Sequence, residues 1–316
     1  MSVGVTRLAP SPTGALHLGN ARTFVINYLM ARTQGWRVLM RIEDLDGPRM
    51  KQGAVAQTLD DLRWLGLEWE EPVVHQSSRD EAYRGALQEL IRKRAAYPCT
   101  CSRKDIELAG AAPHLDDPVK VYPGTCRGRW SSAEQAQRRT GRPAAWRVTV
   151  EDRKMSFVDE FAGPQSFNLS TTCGDFVVFR NEGLAGYQLA VVLDDAAAGV
   201  NRIVRGDDLL ESTARQMRLR ELLNLDGNVK YWHLPLVIGQ DGRRLAKRHG
   251  DTRLSHYRQL GATPERVLGL LAYWSGLIDD RREATMAELL DGFHPTRVPM
   301  KEVVFCSADE DFLRRR

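Results

Sequence analysis

Two short stretches of this 316-residue chain carry side chains suited to handling a nucleotide. The first is Ala9-Pro10-Ser11-Pro12-Thr13-Gly14-Ala15-Leu16-His17-Leu18-Gly19-Asn20. His17 and Asn20, three residues apart, can both donate hydrogen bonds to a phosphoryl group as charge builds on it. Gly19, at a helix start, lets an adenine or ribose approach the backbone, where exposed N–H groups and the helix dipole suit phosphate. The second stretch is Arg244-Leu245-Ala246-Lys247-Arg248-His249-Gly250. Lys247, in a loop opposite a phosphate site, can neutralise the α-phosphate and leaving pyrophosphate of ATP. Each stretch alone also has a plain structural reading: a Pro/Gly-rich turn for the first, a solvated basic loop for the second.

A third cluster suits a metal. Cys99-Thr100-Cys101 is followed, after 24 intervening residues, by Cys126 within Tyr122-Pro123-Gly124-Thr125-Cys126. Three thiolates fall one short of the four ligands that tetrahedral zinc takes. The completing ligand is Tyr122, His114 or an Asp, and ligand chemistry alone favours His114. Five cysteines is an odd count, so a disulfide framework is not expected. Cys173 and Cys306 read as ordinary small hydrophobes.

The elements that must position these groups follow from apolar spacing. Val3 to Leu8 reads as a strand, Gly19 to Thr33 as a helix closed by Gly35, and Val38 to Ile42 as a second, buried strand. Strand, loop, helix and strand within some 40 residues make a parallel βαβ unit. Helices are expected over Lys51–Leu65 and Arg79–Arg94. From Tyr97 to Glu182 glycines, prolines and short alternating runs (145–150, 176–179) suggest an inserted subdomain. Then come helix 188–197, strand 202–204, helix 209–223 and a last buried strand over 234–238. The remainder reads as helical, for example 264–274 and 284–290. No apolar run of about 20 residues could span a bilayer, and no signal segment is evident, so a cytoplasmic location is expected. The net charge of +4 permits an anionic partner without demanding one.

The two nucleotide-handling stretches, in this order and separated by a split sheet, resemble the signatures of the class I aminoacyl-tRNA synthetases, closest to the glutamyl branch. Arg41-Ile42-Glu43-Asp44-Leu45-Asp46, the run from Tyr187 to Asp195, and Ile203-Val204-Arg205-Gly206-Asp207-Asp208-Leu209 also look like glutamyl-synthetase motifs. The resemblance covers residues 3 to about 260. Asn20, Arg244 and Ala246 depart from the usual signature residues; Lys247, the important cation, is retained.

The resemblance implies an α/β fold: a Rossmann-like class I synthetase catalytic domain with a zinc-bearing α+β insertion and a C-terminal helical subdomain. The expected division is 1–96 with 187–238 for the catalytic domain, 97–186 for the insertion, and 239–316 for the second signature and helical tail. Glutamate carries two carboxylates and an ammonium, which two guanidiniums and a buried acid complement. Arg7 and Arg205 are the candidate guanidiniums and Glu43 the acid, with Ala9, Ser11 and Tyr187 completing the amino-acid pocket. Pro10, His17, Gly19, Asn20 and Lys247 would bind ATP, with Mg²⁺. His17, Asn20 and Lys247 would carry the catalysis.

For the cysteines, Cys-x-Cys with Tyr-x-x-x-Cys resembles the zinc site of the glutamyl-queuosine tRNA(Asp) synthetases. That implies one structural zinc per chain on Cys99, Cys101, Tyr122 and Cys126. Only 66 residues follow Gly250, so no anticodon-binding domain is expected. The implied activity is glutamate activation and transfer to the queuosine base of tRNA(Asp) by a monomer. The alternatives are a truncated glutamyl-tRNA synthetase charging a 3′ end, another adenylyl transferase, or a non-catalytic RNA-binding relative.

Overall fold

The protein is described by a computed structural model over residues 3–12, 15–46, 50–109, 121–225, 227–243, 245 and 251–315. The first half builds a βαβ unit and its extension: β1 (Val5–Leu8), α1 (Leu18–Thr33), β2 (Arg37–Ile42), α2 (Ala54–Trp64), β3 (Glu70–His75) and α3 (Asp80–Arg92). The middle holds β4 (Ala96–Cys99), α4 (Arg103–Ala109), α5 (Ala133–Thr140), β5 (Ala145–Val148), β6 (Lys154–Asp159), β7 (Gly163–Asn168), α6 (Leu169–Thr172) and β8 (Phe176–Phe179). Then follow α7 (Tyr187–Ala197), β9 (Arg202–Gly206), α8 (Leu210–Leu222), β10 (Lys230–Leu234) and β11 (Val237–Ile238). The tail has α9 (Leu254–Gln259), α10 (Pro264–Trp274), α11 (Met286–Gly292), β12 (Val303–Val304) and α12 (Ser307–Arg314).

β1, β2 and β3 form one parallel sheet, and β9 and β10 pair in parallel in another. The Asn201 N–H donates to the Val5 carbonyl (3.0 Å) and the Asn201 side chain accepts from the Val5 N–H (2.9 Å), so β1 runs beside β9. The order across the molecule is therefore β3-β2-β1-β9-β10. It reverses direction between β1 and β9, the crevice where such sheets bind ligands. The β6–β7 hairpin, which lies within 97–186, joins this platform: Asp159 pairs with Tyr231, and the Glu160 N–H donates to the Tyr231 carbonyl at 2.9 Å.

α1 lies under the crevice and is buried nearly all round, because it is packed between the sheet and α10. Asn27 locks it to β1, accepting from the Thr6 hydroxyl (2.9 Å) and donating to the Arg7 carbonyl (3.0 Å). β4, β5 and β8 form a separate antiparallel sheet.

One expected strand shifts and one strand is missed. The last strand of the β9–β10 sheet is Lys230–Leu234 rather than 234–238, because Pro235 has no N–H to extend the ladder. Val237–Ile238 instead pairs with β12 near the C-terminus. β3, with the sequence Glu-Glu-Pro-Val-Val-His, carries no alternating apolar signal because it is an edge strand with its first half exposed.

Candidate active site and metal centre

A cavity of about 380 Å³ opens at the carboxyl ends of β1 and β9. Arg7, Ala9, Pro10, Ser11, His17, Gly19, Asn20, Glu43, Tyr187 and Arg205 all line it. These ten positions come from five separate stretches of chain. Lys247, with Arg244 and Ala246, lies outside the described residues, as do Thr13 and Gly14 of the first loop. The residues flanking Lys247 are anchored at the same place: the Leu245 N–H donates to Val237, a cavity-lining residue, at 3.1 Å. On the far side, Leu18 donates to Thr252 (3.0 Å) and Leu254 to Leu16 (2.9 Å), with His17 and Arg253 bridged in antiparallel fashion.

His17 is the N-cap of α1, its backbone extended, and its Nδ1 accepts the Asn20 N–H at 3.4 Å. An accepting Nδ1 carries no proton, so the proton of this ring sits on Nε2. Gly19 packs closely beside it: a Cβ there would stand 3.3 Å from His17 Nδ1, a tight contact, and 3.5 Å from Val237 Cβ, an ordinary one. The loop is held to the sheet by the Glu43 N–H, which donates to the Pro10 carbonyl at 3.0 Å.

The charges at the cavity floor are unequal in their pairing. Asp195 of α7, almost fully buried, accepts from Arg7 Nε at 3.2 Å and from Arg41 Nη1. Arg41 also donates to Glu43 at 3.1 Å. Burial alone would raise the Asp195 pKa, but Arg41 and Arg7 outweigh it and hold the carboxyl below its ordinary range. For Glu43 the balance goes the other way: burial raises its pKa, and the two guanidiniums oppose that without cancelling it. Tyr187, at the mouth, is pushed up to about 12 by burial and by Glu43, so its hydroxyl stays a donor.

Arg205 differs from its neighbours. It is buried, and it donates to His233 Nε2 (2.9 Å), the Gln216 side-chain carbonyl (2.9 Å), the Thr213 hydroxyl (2.8 Å) and the Leu209 carbonyl (3.4 Å). Every one of these acceptors is neutral. Among the described residues no carboxylate lies within ion-pair distance, and burial accordingly lowers the Arg205 pKa.

The sequence assigns no role to Asp195, Arg41, His233 or Gln216. One signal was available for the first three: each is a polar residue inside an otherwise apolar helix or strand, where burial demands a partner, whereas Gln216 sits in a largely polar helix and carries no such mark.

The sulfurs of Cys99, Cys101 and Cys126 lie within 4.8 Å of one another, a group that could hold a metal ion. Tyr122 Oη is 3.3 Å from Cys99 Sγ and 3.8 Å from Cys101 Sγ, and accepts the Cys126 N–H at 2.9 Å. Gly174 makes this possible. It has φ of 66°, and a Cβ there would meet the Tyr122 carbonyl oxygen at 2.3 Å. Arg147 lies 3.8 Å over the Tyr122 ring and donates to Cys99 Sγ at 3.4 Å. His114 lies outside the described residues.

Comparison with known proteins agrees with this geometry. Residues 4–305 match the family model described as tRNA synthetases class I (E and Q), catalytic domain. The chain is 45% identical over 305 residues to the glutamyl-Q tRNA(Asp) synthetase of Rhodopirellula baltica, covering 93% of this chain and 92% of that one. It is 46% identical over 297 residues to the protein of the same name from Nocardia farcinica, covering 94% and 91%. In fold it is similar to the glutamate-tRNA synthetase of Elizabethkingia anophelis, with a TM-score of 0.82 at 24% identity over 99% of this chain and 70% of that one.

Proposed function

The chain belongs to the class I tRNA synthetases of the E and Q type, and from that premise we propose that it activates L-glutamate with ATP and transfers the glutamyl group to the queuosine base of tRNA(Asp). The observation that carries the substrate is Arg205, a buried guanidinium with only neutral partners, facing the same cavity as Arg7. Arg7 and Arg41 are both paired with Asp195, and Arg41 also with Glu43 and, at 4.0 Å, with Asp194, whereas Arg205 has neutral partners only. Glutamate, with two carboxylates and one ammonium, supplies the carboxylate that Arg205 lacks. Arg205 and Arg7 take carboxylate, Glu43 faces the ammonium, and Ala9, Ser11 and Tyr187 complete the amino-acid site.

In the first step a carboxylate oxygen of the glutamate α-carboxyl group bonds to the α-phosphorus of ATP. The bond from that phosphorus to the bridging oxygen breaks, and pyrophosphate leaves with the electron pair. His17 Nε2–H and Asn20 donate to the phosphoryl oxygens as charge accumulates, while Pro10 and Gly19 leave room for the nucleotide. Lys247 is assigned to the departing phosphates, with Mg²⁺ accompanying ATP. In the second step a nucleophile of the acceptor attacks the glutamyl carbonyl and AMP leaves. No side chain forms a covalent bond, so the residues act by position and electrostatics.

For the insertion we assign one structural zinc to Cys99, Cys101, Cys126 and Tyr122. Bond lengths of about 2.3 Å to sulfur and about 2.0 Å to oxygen at tetrahedral angles separate two sulfurs by about 3.8 Å and oxygen from sulfur by about 3.5 Å. The 3.5 Å between Cys101 and Cys126 and the 3.3 and 3.8 Å to Tyr122 Oη fit that set. When bound, zinc would cross-link β4 to the turn carrying Cys126. The division into 1–96 with 187–238, 97–186 and 239–316 is carried forward with this reading, as is a monomer acting in the cytoplasm. No helix among the described residues is long and apolar enough to cross a membrane.

The test is glutamate-dependent ATP–pyrophosphate exchange without RNA, followed by transfer of labelled glutamate to tRNA(Asp) with and without queuosine. Exchange with glutamate alone and transfer only to the queuosine-bearing tRNA is the expected result. Exchange only with added tRNA(Glu) would overturn the acceptor assignment in favour of 3′-end charging. No exchange under either condition from folded, zinc-loaded protein would refute the catalytic reading.

A further inference from the structure

His233 sits fully buried on β10, behind the cavity wall, and touches no surface. Arg205 Nε is a donor with no lone pair to offer, and it lies 2.9 Å from His233 Nε2. His233 Nε2 must therefore be the acceptor, which puts the ring's single proton on Nδ1. That nitrogen lies 2.6 Å from Asp159 Oδ2. Asp159 is itself saturated: its Oδ1 accepts the N–H groups of Phe161 (3.0 Å), Ala162 (2.8 Å) and His233 (3.2 Å). The ring is thus fixed in one tautomer by a carboxylate that cannot turn away. Burial lowers the His233 pKa and Arg205 adds to that, while Asp159 opposes them, so the ring is neutral.

We propose that His233 is a positioning residue for glutamate activation: with Asp159 fixing its tautomer, it aims the Arg205 guanidinium at the substrate carboxylate. The inference rests on the assignment of Arg205 to glutamate. It has a structural consequence for the insertion. Asp159 closes β6, inside the segment that carries the cysteine cluster, so the hairpin supplies the outermost member of an Asp159–His233–Arg205 chain. Gln216 and Thr213 of α8 hold the other guanidinium nitrogens. Among the described residues His233 alone holds Nε, and that bond fixes the plane of the fork together with those at the Nη atoms.

The experiment measures the KM of glutamate and of ATP separately by pyrophosphate exchange, with thermal midpoints recorded for each protein. The variants are H233A, H233Q, D159N and R205Q. H233A is expected to raise the glutamate KM about ten- to hundred-fold, the range for losing a hydrogen bond to a charged group, with the ATP KM within twofold of wild type. H233Q, whose amide oxygen can stand where Nε2 does, should recover most of that loss. D159N should move the glutamate KM in the same direction as H233A, because an asparagine can donate to Nδ1 and shift the proton to Nε2, against Arg205.

A glutamate KM within twofold of wild type in H233A would overturn the proposal. So would equal rises for both substrates, or no recovery in H233Q. If H233A does not fold, D159N and H233Q carry the same comparison. R205Q separates the two levels: an unchanged glutamate KM there would sink the pocket assignment itself. A raised KM in R205Q with unaffected His233 variants would sink only the positioning role.

Discussion

Asp195→Asn isolates the charge that holds the cavity floor together. The replacement keeps the size of the side chain and one carbonyl acceptor, but removes the carboxylate shared by Arg7 and Arg41. All three side chains are almost fully buried, so water cannot take over the lost pairing. Removing one partner of a buried ion pair costs about 3–5 kcal/mol, and the retained acceptor argues for the low end, about 3 kcal/mol. An unfolding entropy of about 2 cal/mol/K per residue over 316 residues gives about 0.65 kcal/mol/K. The thermal midpoint at pH 7 should therefore fall by about 5 °C.

The difference should also depend on pH in a defined sense. The Asp195 pKa is depressed in the folded protein, so its stabilisation is complete above the ordinary value of about 3.9 and is lost as pH falls through the folded value. Wild type and variant should converge only in strong acid and differ fully from about pH 5 upward. Calorimetry of the two proteins at matched pH reads this directly. A midpoint within about 1 °C of wild type at pH 7 would refute the view that Asp195 neutralises two desolvated guanidiniums.

Two predictions concern the cysteine cluster. Purified protein should hold close to one zinc per chain by atomic emission, and C126S should hold much less, with the lost cross-link exposing 97–186 to protease; full zinc retention in C126S would remove Cys126 from the ligand set. Tyr122→Phe should weaken zinc retention against a chelator by roughly tenfold or more while leaving the fold intact, and equal retention would return the fourth position to His114 or an Asp. Gly174→Ala should be costly at a distance: the left-handed backbone and the 2.3 Å approach to the Tyr122 carbonyl leave no room for a methyl group. A loss of about 2–4 kcal/mol with reduced zinc content is expected, and wild-type stability by urea unfolding would contradict the packing argument.

The chain's chemistry was more legible than its scaffolding. Loops at the ends of parallel strands advertise themselves through Pro, Gly and His at close spacing, and ten of the eleven candidate residues line one cavity, the eleventh, Lys247, lying outside the described residues. The expected strand over 234–238 was displaced because Pro235 stops the ladder, and two of its residues serve a different pairing. What spacing cannot reveal is which charge answers which. Arg7 and Asp195 are 188 residues apart and Arg41 and Asp195 are 154 apart, so nothing local marks them as partners. The same holds for Asp159 and His233, whose contact depends on the hairpin joining β10. Arg41, Asp195 and His233 are polar residues in apolar runs. That pattern signals a buried partner without saying where in the chain it lies.

The pairing also sets an order among amino acids that charge alone would not. Glutamine lacks the second negative charge, so binding it would leave the Arg205 guanidinium buried against neutral groups only. Leaving a buried charge uncompensated costs several kcal/mol, which corresponds to discrimination of at least about a thousandfold. Aspartate has the same net charge as glutamate and falls short by one methylene. A missing methylene alone is worth about 1–3 kcal/mol, and the shorter reach stretches its bond to the guanidinium without abolishing the attraction. Both should be poor substrates in pyrophosphate exchange, with glutamine the poorer at saturating ATP. If glutamine supported faster exchange than aspartate, the cavity would be selecting by length, and the unpaired charge of Arg205 would not be what recognises the substrate.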